Sequence, residues 1–341
     1  MSIVLAIGSL ESIEELNRLG KIVIRRFVLV TLFITLAAIL ISLLFFPILG
    51  RGSVNFTLDS ILELIFGVIP TSLFRPFVDN NLPQLLVLGM AAGAALLLLG
   101  EKAAVLRDHL SLLSDWVYEL MGLVNKLMPA IPFLSIFKLA AEGRYDVLIR
   151  GWKYIAAVFL CIAVCITVKF FKVSYRCGMK PAAIWNAISP IVTATFLSGS
   201  SNSVLRMQYE TSKDGLGIEP SFSSFWIPLS YGMLMPSVTI AFVVSTFFVA
   251  GMSGVSASFS FLLVLALNTV LLSLASPGLT PGTVIILESL GLDAGYAGVF
   301  SAYRIFTKNV SAAFNIAYKM LEQLEAAGVT DNIRTAEKNC K

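Results

Sequence analysis

A chain of 341 residues that is 57% hydrophobic and only 13% charged, with a mean hydropathy of +0.85, cannot cover a soluble globule of its size, because such surfaces need roughly 25% charged residues. The formal charge of +4 is scattered, with no basic run interleaved with aromatics, which argues against a nucleic-acid partner. Four cysteines and one histidine show no metal-ligand spacing, and no nucleophile triad or phosphate loop speaks for an enzyme. Cys161 and Cys165 stand one helical turn apart in an apolar run and read as buried thiols.

What remains is an all-α, multi-pass membrane protein. The chain opens on an apolar stub with no basic leader, so no cleavable signal peptide is expected. Residues 22–49 form the first full span, about as long as the roughly 20 residues that cross a hydrocarbon core. Residues 58–68 are amphipathic and end at Ile69-Pro70-Thr71-Ser72, which predicts a helix lying along the interface. Then come a span over 82–99, a charged turn over 101–108, a long segment over 112–141 kinked by Pro129 and Pro132, and a span over 154–171.

The C-terminal half alternates hairpin and span: 181–213, 225–249, 257–292 and 295–318. Each hairpin breaks in mid-segment. The first break carries Ser198, Gly199, Ser200, Ser201, Asn202 and Ser203, and the second carries Ser276, Pro277, Gly278, Thr280 and Gly282. The flanking apolar halves are too short to cross alone, so both read as re-entrant hairpins. Irregular backbone at membrane depth survives only where it is buried in protein or lines a cavity, so paired breaks point to a solute pathway. The two hairpin-plus-span units share a pattern, as an inverted repeat would. Basic residues concentrate at 18–26, at 169–180 and from Lys319 onward, whereas 251–256 and 291–296 carry none. The former are predicted cytoplasmic and the latter external.

Arg304 and Lys308 stand out on the last span, with Ser301, Tyr303, Thr307 and Asn309 around them. Positions 301, 304, 308 and 311 share one helix face, giving a polar stripe of Ser301, Arg304, Lys308 and Ser311. Each cation costs about 2.5–3.5 kcal/mol at a bilayer centre. No acid lies on that span or at either tip, so a bound anion is the simplest compensation; the bland alternative is that Lys308 snorkels and Arg304 pairs with a distant acid such as Glu288 or Glu119. A guanidinium grips a carboxylate bidentately while an ammonium adds a point charge, which suits a ligand with two carboxylates. The serine-rich first tip adds hydroxyls and backbone N–H groups, and the second tip reads as a mobile lid.

These residues resemble the dicarboxylate/amino acid:cation symporter family, the glutamate-transporter fold. The likeness runs through Leu19-Gly20-Lys21, Ile69-Pro70-Thr71-Ser72 with Leu82-Pro83 and Gly93, the serine-rich tip, Pro228-Leu229, the second tip, and Ser301 with Arg304, all in family order. The resemblance implies a secondary carrier for C4-dicarboxylates or acidic amino acids that works by alternating access. It also implies a homotrimer in the plasma membrane, the bacterial inner membrane in particular, in contact with the lipid bilayer, with the second hairpin as external gate. It divides the chain into a remnant of the second scaffold helix (1–18), a transport-domain helix (19–50), scaffold helices (51–149), a transport domain (150–325) and a cytoplasmic tail (326–341). A substrate site is implied at Ser200, Ser201, Ser276, Gly278, Ser301, Arg304, Lys308 and Asn309. Serine at 301 resembles the C4-dicarboxylate branch, since amino-acid carriers place an aspartate there for the substrate's ammonium.

Three departures accompany the likeness. The family's sodium-binding signature in the seventh helix reads Leu234-Met235-Pro236-Ser237-Val238, and its eighth-helix asparagine and aspartate align with Lys308 and Ala312, or with Asn309 in place of Lys308 after a one-residue shift. No cofactor or metal site is expected; Na+ or H+ is the possible coupling ion, and the sodium sites read as lost. Met1 aligns near the end of the family's second helix, so a shortened N-terminus is expected, through a misassigned start or a truncated gene. A degenerate relative, an anion-binding sensor or leak pathway that does not transport, is the alternative function.

Overall fold

The computed structural model describes residues 2–8, 13–46, 70–78, 82–127, 137, 141, 145–201, 204–275 and 279–329, and every regular element among them is helical. In chain order these are α1 (Ser2–Gly8), α2 (Ile13–Phe45), α3 (Arg75–Val78), α4 (Leu82–Leu99), α5 (Ala104–Leu127) and α6 (Tyr145–Cys177). The second half comprises α7 (Pro181–Ser198), α8 (Leu205–Glu210) with a π turn (Thr211–Gly215), α9 (Pro220–Met233), α10 (Pro236–Ser253), α11 (Phe259–Ala275), α12 (Leu279–Ser289) and α13 (Ala297–Val329). The expected interfacial helix at 58–68, the kinking Pro129 and Pro132, Ser276 and Gly278 lie outside the described residues.

Among the described residues, four runs are long and apolar enough to cross a membrane: Gly20–Phe45, Val87–Ser114, Gly151–Cys177 and Pro220–Ser253. The chain is an integral membrane protein of the all-α class. Helix α13 is not among the four, because its Arg304 and Lys308 stripe lowers the mean hydropathy of its first half.

Three expectations change. The charged stretch after Leu99 is no turn: a 3-10 segment, Gly100–Ala103, carries α4 into α5. The span expected over 225–249 is interrupted at Leu234 and Met235, between α9 and α10. Pro236 causes the break, since it has no N–H for the helical ladder and its ring crowds the preceding turn; it restarts the helix at the first position, where a proline is tolerated. Helix α13 also runs three residues past the expected start of the tail, to Val329.

The core sits around α10. Every residue from 236 to 250 is buried, as expected of a helix apolar on all sides. Helix α2 packs against α10 and α11, while α6 and α7 pack against α13. Aromatic side chains lock the layers together: Phe27 of α2 meets Trp226 of α9 edge-on at 5.2 Å, and Tyr154 of α6 lies 5.2 Å from Phe300 and 5.4 Å from Tyr303 of α13. Gly151 makes the last contact possible, because a Cβ there would stand 2.5 Å from the Tyr303 ring. This aromatic seam sets the rotation of α13 and so aims its polar stripe.

Candidate functional site

Helix α7 ends at Ser198 because Gly199 adopts the left-handed conformation, φ +63°, while its N–H still donates to Thr195 O at 2.9 Å. Glycine reaches that region without the Cβ penalty other residues incur. The turn lands on α13. A Cβ built on Gly199 would lie 2.8 Å from Asn309 Oδ1 and 3.4 Å from Lys308 Cε. The Ser198 hydroxyl stabilises the turn internally, donating to Thr195 O and to Ser200 O and accepting from the Ser200 N–H. Ser200 and Ser201 are half-buried beside it.

The second break reaches the same helix about two turns away. Thr280, at the start of α12, shares a hydrogen bond with Ser301, Oγ1 to Oγ 2.6 Å. On the other side of the break, Ser273 of α11 accepts from Thr239 Oγ1 at 2.9 Å, which fastens α11 to α10. Ser301, Lys308 and Asn309 are therefore brought together with the two interruptions, and Arg304 lies between them on the same helix. Arg304, Lys308 and Asn309 are exposed, Ser301 is half-buried and Ser311 is buried. Neither Arg304 nor Lys308 forms an ion pair with a carboxylate among the described residues; Glu288 and Glu119, the bland partners, are exposed and unpaired with them.

The broken helix adds a third interruption at this level. The Leu234 N–H still donates to Ser230 O, and Val238 and Thr239 N–H groups both reach Met235 O, which closes the first turn of α10. The Ser237 N–H donates to Asn315 Oδ1 of α13 at 2.9 Å, so a side-chain amide caps α10 from across the interface. Pro236 and Ala312 are both buried and neither offers a ligand oxygen from its side chain.

Sequence reasoning missed the buried charge lower on α13. Arg304 and Lys308 are exposed, and the buried cations are instead Lys169 and Lys319: side-chain exposure is 2% at Lys169 and residue exposure 1% at Lys319. Lys169 of α6 hydrogen-bonds both Glu322 and Glu325. Arg26 of α2 reaches Glu322 at 2.9 Å, and Arg176 and Lys172 reach Glu325 at 2.9 and 3.4 Å. Burial alone would raise the Glu325 carboxyl, but Lys169, then Lys172 and Arg26, hold it down to about 2. The signal was present as spacing: Glu322 and Glu325 recur one turn apart on a helix that Tyr318 and Leu321 make apolar on the adjoining face. A mainly apolar groove between α6 and α7, lined by Phe170, Phe171, Pro181 and Trp185 with the hydroxyl of Thr167, carries no cationic side chain.

Residues 1–323 match the family model of the sodium:dicarboxylate symporter family. The chain belongs to that family. Its relatives include C4-dicarboxylate transport protein 1 of Pseudomonas paraeruginosa (strain DSM 24068 / PA7), 24% identical over 230 residues, 67% of this chain and 51% of the relative. C4-dicarboxylate transport proteins of Rhodopseudomonas palustris (strain HaA2) and Serratia proteamaculans (strain 568) are 26% and 24% identical over 266 and 306 residues. Those matches cover 74% and 84% of this chain and 58% and 70% of the relatives. The chain thus spans about half the length of the first of the curated relatives it matches.

Proposed function

We propose that this chain is the working part of a secondary carrier for C4-dicarboxylates, with its substrate site on the α13 stripe between the two helix breaks. One observation carries the reading: Gly199 closes on Lys308 and Asn309 while Thr280 closes on Ser301, around two cations that have no acidic partner among the described residues. A dicarboxylate supplies the missing charge, one carboxylate gripped by Arg304 and the other held near Lys308 by charge and by tip hydroxyls. The names of the relatives agree with this substrate class.

In this reading α7 with α8, and α11 with α12, are re-entrant hairpins of an inverted repeat, and the second opens as the gate, with Ser276 and Gly278 at its tip. The Arg26, Lys169, Lys172 and Arg176 end faces the cytoplasm of a bacterial inner membrane. Carriage is by alternating access in a homotrimer whose transport domain, 150–325 with 19–50, slides against scaffold helices. Sodium is dispensable, since Pro236 and Ala312 provide no carboxylate and a hard cation prefers anionic oxygen ligands.

Calorimetry and proteoliposome flux test the proposal. Succinate, fumarate or malate should bind more tightly than aspartate or glutamate, because Ser301 leaves an α-ammonium without a counter-charge. Aspartate binding more tightly than succinate would overturn the substrate assignment. Tight succinate binding without substrate-gated flux would instead indicate a relative that binds anions and does not carry them.

A further inference from the structure

Lys319 has no role in that site, yet it is 1% exposed and pairs with no carboxylate among the described residues. Its ammonium lies over the Tyr231 ring of α9, 4.1 Å from the centroid. The Tyr231 hydroxyl in turn donates to Ser201 O in the first tip. A lysine side chain on a helix leans toward the N-terminus, so Lys319 reaches from its own level up toward the break in α9–α10 and the tip above it.

One turn below, on the same face, a cluster of buried amides and hydroxyls continues the polar track. Ser212 donates to Gln323 Oε1 at 3.1 Å, and Gln323 Nε2 donates to Ser223 Oγ at 3.0 Å. Gln208, fully buried beside Ser212, leaves both its amide nitrogen and its oxygen without partners. An orphaned buried amide is where a water molecule fits.

Other charges around Lys319 are engaged or remote. Helices α7, α9 and α10 carry Tyr231 as their only titratable residue. On α13, Glu322 is held by Arg26 and Lys169, and Glu325 by Lys169, Lys172 and Arg176. From α6, Lys169 is committed to those two acids, and Cys161, Cys165 and Tyr154 are buried in the helix interface. Arg206 pairs with Glu210 at the surface; Lys213, Asp214 and, on α12, Glu288 are exposed, and Tyr209 is half-buried.

A buried ammonium without a counter-ion is tolerated by the aromatic face when charged and by the apolar surroundings when neutral. We infer that Lys319 is a proton-binding site coupled to the substrate: its amine takes a proton from bulk water as the dicarboxylate binds, and returns it to water as the dicarboxylate leaves. Ser201, Tyr231 and Lys319 form the link to the substrate tip, and Gln323, Ser212, Ser223 and Gln208 form the route for the proton. The added positive charge favours the dianion, and by reciprocity the dianion favours the proton. A neutral Lys319 lets the empty site return without moving that charge.

This inference rests on the dicarboxylate-carrier reading and deepens it. Succinate titrations of the purified full chain, in buffers of different ionisation enthalpy, read affinity and proton uptake separately. The wild type should show heat that varies with buffer in the sense of proton uptake, and succinate affinity should fall about tenfold between pH 6 and pH 9. Lys319→Met and Lys319→Arg should bind succinate with no buffer dependence, the arginine variant keeping the charge and guarding against a methionine variant that fails to fold. Wild-type heat with the same buffer dependence in a folded Lys319→Arg overturns this inference alone. No heat with succinate, fumarate or malate in the wild type overturns the carrier reading and this inference with it.

Discussion

Replacing Lys169 with methionine removes the cation that bridges Glu322 and Glu325 while keeping the volume of the stem. All three side chains are 1–2% exposed. Breaking a buried pair by deleting one partner costs about 3–5 kcal/mol, because it leaves charge buried without compensation. Arg26 remains 2.9 Å from Glu322 and Arg176 2.9 Å from Glu325, so the loss should fall at the lower end, about 3 kcal/mol. Arg176→Ala is the internal comparison: the arginine is 55% exposed, so solvent screens its charge, and Lys169 still holds Glu325; its loss should cost about 1 kcal/mol or less. Thermal unfolding in detergent, followed by tryptophan fluorescence, reads both. The pH dependence has a definite sign. Glu325 is held down to about 2, so its contribution is present above the ordinary carboxylate range and is lost as pH falls toward 2. Lys169 is the leading stabiliser of that anion, and the gap between wild type and Lys169→Met should therefore be widest near neutral pH and narrow as the solution is acidified. Equal melting of Lys169→Met and Arg176→Ala, or a gap that widens in acid, would refute the buried-cluster argument.

Gly199→Ala should destabilise the first tip by about 1–2 kcal/mol through its left-handed φ and push Asn309 aside; in an Asn309→Ala background only the backbone part should remain, which a double-mutant cycle of succinate affinities measures. Gly151→Ala should cost about 1–3 kcal/mol by overpacking against Tyr303, and a thermal melt indistinguishable from wild type would show that the α6–α13 seam is looser than described. Ser301→Asp should shift binding toward aspartate and away from succinate, since it supplies the ammonium with a counter-charge and repels a carboxylate; competition calorimetry that finds no change in preference counts against the placement of Ser301 in the site. Succinate affinity should be the same in sodium, potassium and choline chloride, and a steep requirement for sodium would show that backbone carbonyls around Leu234 and Met235 suffice to bind it.

Some of this protein is determined by local chemistry that any reading of the chain recovers. Apolar length sets the spanning helices, Pro181 and Pro220 mark helix starts, and Gly199 marks a helix end, because each acts through its own backbone. The polar stripe of α13 is likewise a matter of helical period. Other features depend on which faces meet. Pro236 interrupts the helix by its own chemistry, but the new start of α10 is capped by Asn315, 78 residues beyond Ser237, whose side chain accepts from the Ser237 N–H. Lys169 and Lys319 look alike in sequence, basic residues near the ends of apolar runs, yet one meets two carboxylates and the other an aromatic ring. Only packing distinguishes them, since the cost of a buried charge is set by its neighbours in space and those neighbours come from α2, α9 and α13. The paired breaks in the sequence point to the last span, but the contacts of Gly199 with Asn309 and of Thr280 with Ser301 follow from the rotation of α13, which the Tyr154, Phe300 and Tyr303 seam decides.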